Sequence, residues 1–414
     1  MIWNSSPLLK VSNLVLATLI AILVLPLASS SRADESAEIA KRATILTPQN
    51  RAEIFRGMAN IFPYHVIKRS GPVLELPRAE RPLEVTYSFG GASHTLADFL
   101  QRTRTTGFLV IKDGKIVSER YFGGADQNSH FTSWSVGKSF TSTLLGIAIA
   151  DGKIESVDKP VSDYISELKG SGYDGVPIKD ILQMSSGIKF TEEYSNLESD
   201  VSIMWRRTMV EESERLNHYA ASLTRLEPPG SRFVYRSVDT QILGWLVMRT
   251  TGERLADYLS EKIWQPLGME SDATWLTDRP GAEGTEAAFC CINATLRDYG
   301  RFGLSFLNKG KLNGKQIVPE AWVAQATSVQ SPQVRFGKII PGTQIGYGYQ
   351  WWLLPGDDHA FSAEGVFFQF IYVEPRENLV IVKTSAFDDF WDDKLEAEQW
   401  VAYQAVGNAL TQKQ

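Results

Sequence analysis

Apolar positions along the chain fall into short alternating or helically spaced runs. Gly107–Lys112 and Lys115–Phe122 flank Asp113-Gly114, a pair that favours the tight turn of a β-hairpin. Val136, Phe140, Leu144, Ile147 and Ala148 are spaced as one face of a helix. That run stops at Asp151-Gly152, so it predicts a helix over Val136–Ala150. Gln49–Ile61 predicts another, followed by a stretch broken by Pro63, Pro72, Pro77 and Pro82. Between about 153 and 310, loops alternate with amphipathic stretches. One is Gln241–Thr251, where Ile242, Leu243, Leu246 and Val247 share a face. Strand patterns return at Tyr347–Leu354, then at Phe367–Val373 and Leu379–Ser385 around Glu374–Asn378. A last helix is expected over Leu395–Leu410. Strands near both ends with helical material between them predict one antiparallel sheet flanked by helices, with a mostly helical inserted region. This is an α/β fold of the α+β kind. No internal repeat is visible.

The first 33 residues have a different character. They contain Lys10 and Arg32 and no acid, and an apolar run from Leu14 to Leu27 is broken only by Thr18 and Pro26. Ser31-Arg32-Ala33 places small residues where a signal peptidase needs them. The run is short against the roughly 20 residues of a spanning helix. A cleaved signal peptide over 1–33 is the expectation; the alternatives are a membrane anchor retained through residues 11–29 and a buried helix. Residues 34–90 then read as an N-terminal arm and 91–414 as the main domain. Without residues 1–33 the chain carries a net charge of −8, an acidic exported, periplasmic protein.

Composition narrows the function classes. With 43% hydrophobic and 22% charged residues, collagen-like, low-complexity and mainly disordered readings are excluded. A net charge of −6 lacks the basic footprint of a nucleic-acid binder, so no nucleic-acid partner is expected. Cys290 and Cys291 are the sole cysteines and are adjacent, which precludes a disulfide framework and a four-cysteine zinc site. They are expected as small core residues rather than as a vicinal disulfide. No two of the five histidines lie at helical metal-ligand spacing, so neither a metal nor a cofactor is expected.

One pattern carries chemistry. Ser and Lys three apart on a helix share a face, and a lysine of near-neutral pKa can take the hydroxyl proton and make the serine a nucleophile. The spacing occurs four times: Ser135/Lys138, Ser156/Lys159, Ser166/Lys169 and Ser186/Lys189. Pro160, the Gly-Ser-Gly after Lys169, and Gly187 mark the last three as loops or turns. Ser135-Val-Gly-Lys138 alone opens a long helix, at the positive end where backbone N–H groups can receive an oxyanion. The competing reading of Ser135 is a helix cap. Further on, Tyr235 follows a Pro-Pro-Gly turn and precedes a helix entrance. A tyrosine beside a lysine ammonium can have its pKa lowered and serve as general base; the competing reading is a packing tyrosine.

Ser135-x-x-Lys138 followed by Tyr235-x-Ser237 resembles the serine beta-lactamase-related family. That group holds class C beta-lactamases, D-Ala-D-Ala peptidases, family VIII esterases and 6-aminohexanoate-dimer hydrolases. Asp180-Ile-Leu-Gln-Met-Ser-Ser-Gly187 and Thr295-Leu-Arg-Asp-Tyr-Gly-Arg-Phe-Gly303 resemble two further family segments, and the likeness covers roughly residues 90–410. It implies a beta-lactamase/transpeptidase-like fold, with Ser135 as nucleophile and Lys138 and Tyr235 moving the proton. An oxyanion hole would come from the Ser135 N–H and one on the strand after Gly365. Two departures matter. The family's Tyr-x-Asn is Tyr235-Arg236-Ser237, and its Lys-Thr-Gly is Ala363-Glu364-Gly365, which has no cation to hold an antibiotic carboxylate. Lys383-Thr384-Ser385 matches better by letters but falls on the next strand, and Arg236 is another cation that could substitute. These departures resemble the nylon-oligomer hydrolase branch, in which a tyrosine equivalent to Tyr194 contacts substrate. Ser237, Ala363 and Gly365 are the other substrate-lining positions implied. The acids of Glu192–Asp200 read as an exposed loop or as a recognition element for an amine. The implied function is hydrolysis of a small ester or linear amide through an acyl-enzyme. The alternatives are a D-Ala-D-Ala peptidase, a beta-lactamase, or a non-catalytic relative that binds peptidoglycan fragments.

Overall fold

The computed structural model describes residues 36–45, 47–340, 342–356 and 359–411, and the targeting segment expected over 1–33 lies outside them. The chain divides into two units, 1–46 and 47–414. Of the first, the described part is chiefly a helix at 36–43. Among the described residues no helix is long and apolar enough to cross a membrane.

The second unit is built on a seven-stranded antiparallel sheet. Its strands are β1 (Thr105–Lys112), β2 (Lys115–Tyr121), β3 (Gly346–Tyr347), β4 (Trp352–Leu353), β5 (Phe361–Gly365), β6 (Gln369–Glu374) and β7 (Leu379–Ser385). The spatial order is β3-β4-β5-β6-β7-β1-β2, so β7 pairs with β1 and the two ends of the unit join in one sheet. The β1–β2 hairpin turns at Asp113 and Gly114, both at positive φ (54° and 73°), the backbone that a two-residue turn demands. The single strand expected over Tyr347–Leu354 is instead two short strands, β3 and β4, paired across a tight turn with Gln350 at φ 65°.

Of four long helices, α1 (Gly137–Ala150) and α2 (Ser237–Thr251) pack on each other, and α3 (Leu296–Leu307) and α4 (Asp393–Thr411) pack on the sheet. Against one face, Phe99, Phe108, Val110, Tyr372, Ile381, Tyr403 and Val406 form a buried cluster between sheet and α4. Each such side chain stabilises by about 1.5–3 kcal/mol on leaving water, so truncating Phe108 to alanine costs about 3–5 kcal/mol with its cavity. α1 is more buried than its apolar face requires: every residue from Gly137 to Ala148 is enclosed. Its hydroxyls tolerate this because each finds a carbonyl, Ser139 on Gln350, Thr141 on Ala288, Ser142 on Tyr349 and Thr143 on Ser139 (2.6–2.8 Å). Residues expected as an arm also enter the second unit. Tyr64–Ile67 begins a four-stranded sheet with Ala273–Leu276, Ile292–Ala294 and Phe131–Thr132, and Thr86–Phe89 pairs with Ala92–Thr95 across Gly90 and Gly91.

Candidate active site

The second sheet delivers the nucleophile candidate. Phe131–Thr132 pairs with Ile292–Ala294, and Ser133 N–H donates to the Ile292 carbonyl at 2.7 Å. The chain then turns through a 3₁₀ segment, Trp134–Val136, into α1. Trp134 holds a positive φ of 43°, an unfavourable conformation for a bulky residue. It is kept there by ring contacts with Phe55 (5.3 Å), Phe367 (5.5 Å) and Trp205 (5.9 Å). Ser135 therefore sits inside that 3₁₀ segment, two residues before α1, and makes no cap bond to it, which removes the capping reading. Strand β5 ends against this turn. A Cβ at Gly365 would lie 2.7 Å from the Ser133 carbonyl and 2.9 Å from the Ser135 amide nitrogen, so only glycine fits there.

Lys138 is 2% exposed and Ser135 8%. The lysine Nζ donates to Ser135 Oγ (2.8 Å), Ser237 Oγ (3.0 Å) and the Phe289 carbonyl (3.0 Å). Loss of hydration pulls its pKa from 10.5 down to about 7, against the opposing attraction of the Glu192 carboxylate. With a pKa near 7 about half of this amine is neutral at pH 7, and in that form its two N–H groups serve Ser237 and Phe289 while its lone pair faces the Ser135 hydroxyl, whose proton it can accept. In the other three Ser/Lys pairs the environment differs: Lys169 and Lys189 are exposed, and Lys159 is paired with Glu155 at 2.9 Å.

Tyr235 completes the cluster. The Asp180–Gly187 segment holds its turn: the Met184 carbonyl accepts the Val234 N–H (2.8 Å), and the Met184 sulfur accepts the Arg236 N–H (3.4 Å). The Tyr235 hydroxyl interacts with the Ser135 side chain, the ring lies 4.9 Å from Lys138 Nζ, and it stacks on Trp352 at 5.6 Å. Its pKa moves opposite to expectation. Burial raises it, the Ser135 side chain opposes this, and Glu192 and Glu364 raise it further. The expected lowering needs a persistent ammonium next door, and Lys138 is itself discharged by the same burial.

Ser237 starts α2 but does not face an open cleft. It is 2% exposed, and its Oγ lies between Lys138 and Glu192 Oε1 (2.5 Å). Glu192 also accepts the Ser237 N–H (2.9 Å) at the positive end of α2, and Tyr194 donates its hydroxyl to Glu192 at 2.7 Å. The Tyr194 ring stacks on Phe390 at 5.5 Å. Glu192 is the functional neighbour that sequence reasoning placed among exposed acids. Its signal was the Glu192-x-Tyr194 spacing, since alternate residues of an extended segment face the same way.

The third motif divides as the strand alternation dictates. Ala363, fully buried, shares the face of Gly365, and Glu364 points to the other, beside Glu396 of α4. The two substitute cations are turned elsewhere. Arg236 is buried against Glu227 (3.4 Å). Lys383 lies on β7 under the Phe368 ring, its Nζ on Ser385 Oγ at 2.7 Å. Cys290 and Cys291 are joined by a disulfide, contrary to the expectation of free core thiols. Two adjacent cysteines reach each other here because Cys291 adopts a φ of 72°. Among the described residues no group of three or more His, Cys, Asp or Glu side chains is arranged to hold a metal ion.

The chain is similar to known proteins. The beta-lactamase family profile matches residues 92–404. The 6-aminohexanoate-dimer hydrolase of Paenarthrobacter ureafaciens is 30% identical over 356 residues, which cover 83% of this chain and 86% of that protein. A solved structure from Bacillus anthracis, provisionally named a 6-aminohexanoate-dimer hydrolase, superposes with a TM-score of 0.80 at 25% identity. It covers 88% of this chain and 96% of that one. A family VIII carboxylesterase shares the fold, with a TM-score of 0.56 at 17% identity over 75% of this chain and 95% of that one.

Proposed function

The chain belongs to the beta-lactamase family of serine hydrolases, and on that premise we propose that it hydrolyses small esters or linear amides through an acyl-enzyme on Ser135. The observation that carries the reading is Lys138, a buried amine of pKa about 7 whose Nζ is 2.8 Å from Ser135 Oγ. Neutral Lys138 takes the Ser135 proton as Oγ attacks the substrate carbonyl carbon. The resulting oxyanion is received by the Ser135 N–H and the N–H that follows Gly365, whose missing side chain leaves strand and nucleophile turn in contact. Tyr235, kept protonated by burial, gives its proton to the leaving oxygen or nitrogen and regains one from Lys138. Water then attacks the acyl-enzyme, its proton passes back through the same groups, and the acid leaves.

The stacked pairs Tyr235–Trp352 and Tyr194–Phe390 offer apolar surface suited to an extended, partly apolar acyl chain. Export as a periplasmic protein, with 1–33 as targeting segment, 34–90 as arm and 91–414 as hydrolase domain, is part of the proposal. The disulfide supports export, because disulfides persist in oxidising compartments.

A fluorophosphonate probe followed by peptide mapping tests the nucleophile. Labelling is expected on Ser135, lost in Ser135→Ala, and kept in Ser156→Ala, Ser166→Ala and Ser186→Ala. Labelling that survives Ser135→Ala, or that is lost in one of the other three while it stays folded, overturns the assignment.

A further inference from the structure

The disulfide lies directly behind the nucleophile turn. A Cβ built on Gly137 would be 3.1 Å from the Cys290 carbonyl carbon. The carbonyls around it are tied to fixed elements. Trp275 Nε1 donates to the carbonyls of Ala287 and Cys290 (both 2.9 Å), Thr141 Oγ1 to Ala288 (2.6 Å) and Leu276 N–H to Cys291 (3.2 Å). The Phe289 carbonyl instead accepts from Lys138 Nζ at 3.0 Å. The peptide that carries this carbonyl ends on Cys290, the first residue of the disulfide ring. The second, Cys291, has a φ of 72°, in the left-handed region that a residue with a side chain avoids unless something holds it.

We infer that the Cys290–Cys291 ring is a positioning device for the catalytic base: it locks the 289–291 backbone so that the Phe289 carbonyl holds Lys138 Nζ on Ser135. This rests on the proposed roles of Ser135 and Lys138. Without the ring, the backbone angles of both Cys290 and Cys291 are released, and a change at Cys290 φ turns the 289–290 peptide that carries the Phe289 carbonyl. Two consequences follow for Lys138. The carbonyl lone pair favours the ammonium over the amine, so its loss lowers the lysine pKa further. The amine also loses one of three anchors and with it part of its alignment on Oγ. Ser237 and Ser135 are hydroxyls that rotate with it, whereas the carbonyl direction is set by the backbone. The cysteines are therefore positioning residues that never touch substrate.

The test is the pH dependence of Ser135 acylation by a neutral fluorophosphonate, in the wild-type protein and in the Cys290→Ser/Cys291→Ser pair. In the wild type the rate is expected to rise through about pH 7 as Lys138 loses its proton. In the serine pair this limb should move about one pH unit lower, the shift that accompanies loss of a hydrogen bond worth about 1.4 kcal/mol to the ammonium. The plateau rate should fall about 10-fold or more from misalignment. A merely structural role for the disulfide would lower the melting temperature and leave the limb in place. A folded serine pair with the wild-type limb and rate overturns the inference while leaving the acyl-enzyme reading intact. A wild type that is not labelled at Ser135 overturns that reading instead. Should the serine pair not fold, Cys290→Ala/Cys291→Gly replaces it: glycine admits the left-handed backbone without locking it, and the same two outcomes decide.

Discussion

Replacing Lys138 by methionine should destroy the activity and stabilise the protein, by an amount that depends on pH. Methionine keeps the linear shape and removes the charge. In the unfolded chain the amine titrates near 10.5, and in the folded site near 7. Below pH 7 the group is protonated in both states, and the folded protein carries the full cost of a desolvated ammonium, about 5 kcal/mol. Between pH 7 and 10.5 the folded state has released the proton while the unfolded state still binds it. Stability therefore rises with pH across that window, and about 2 kcal/mol of the penalty remains at pH 9. The substitution has a cost of its own. Ser237 keeps Glu192, but Ser135 Oγ loses its bond to the amine and the Phe289 carbonyl is left without its donor, a loss of about 1–3 kcal/mol. At pH 6 the variant should be more stable than the wild type by about 2–4 kcal/mol. The change of that difference with pH is the cleaner quantity, because the lost contacts and all other titrating groups cancel. It should shrink by about 3 kcal/mol between pH 6 and pH 9. Urea unfolding of both proteins at the two pH values, followed by circular dichroism, measures it. A difference that does not change with pH would mean that Lys138 keeps its proton in the folded state, and an ammonium cannot act as the base for Ser135.

Two further results are expected. Tyr235→Phe should lower turnover at least about 10²-fold, the lower range for loss of an acid–base group, with little change in substrate affinity; near wild-type turnover would reduce Tyr235 to a packing residue. In a comparison of p-nitrophenyl butyrate, an aminohexanoyl amide and nitrocefin, the ester or the amide should be preferred. Ala363 offers no cation, Arg236 is engaged by Glu227, and Lys383 is on another strand. Against a relative with the lysine, nitrocefin binding should be about 10–100-fold weaker, the worth of one charge-assisted hydrogen bond of roughly 1.5–3 kcal/mol. Efficient nitrocefin hydrolysis with negligible ester and amide turnover would reverse the substrate assignment.

Read as a sequence, the chain determined whatever local physics decides. Asp113-Gly114 could only be a tight turn between two apolar runs, and the helices of Val136–Ala150 and Leu395–Leu410 follow from spacing and stop signals. Helical geometry alone puts Lys138 within reach of Ser135, and context singled this pair out from three others of identical spacing. Gly365 was legible as a position, though the reason for it, the Ser133 carbonyl and Ser135 amide pressed against its Cα, belongs to another part of the chain. The tertiary structure decided the rest, because each remaining property sums contributions from segments distant in sequence. Glu192 looks like any acid of a polar loop until α2 brings Ser237 against it from 45 residues away. The cysteines become a disulfide through the left-handed turn that ties them between Trp275 and α1. The direction of the Tyr235 pKa reversed for the same reason. A motif records which groups meet, but their proton affinities depend on how much water the surrounding fold excludes, and a buried lysine that loses its charge no longer lowers the pKa of its neighbour.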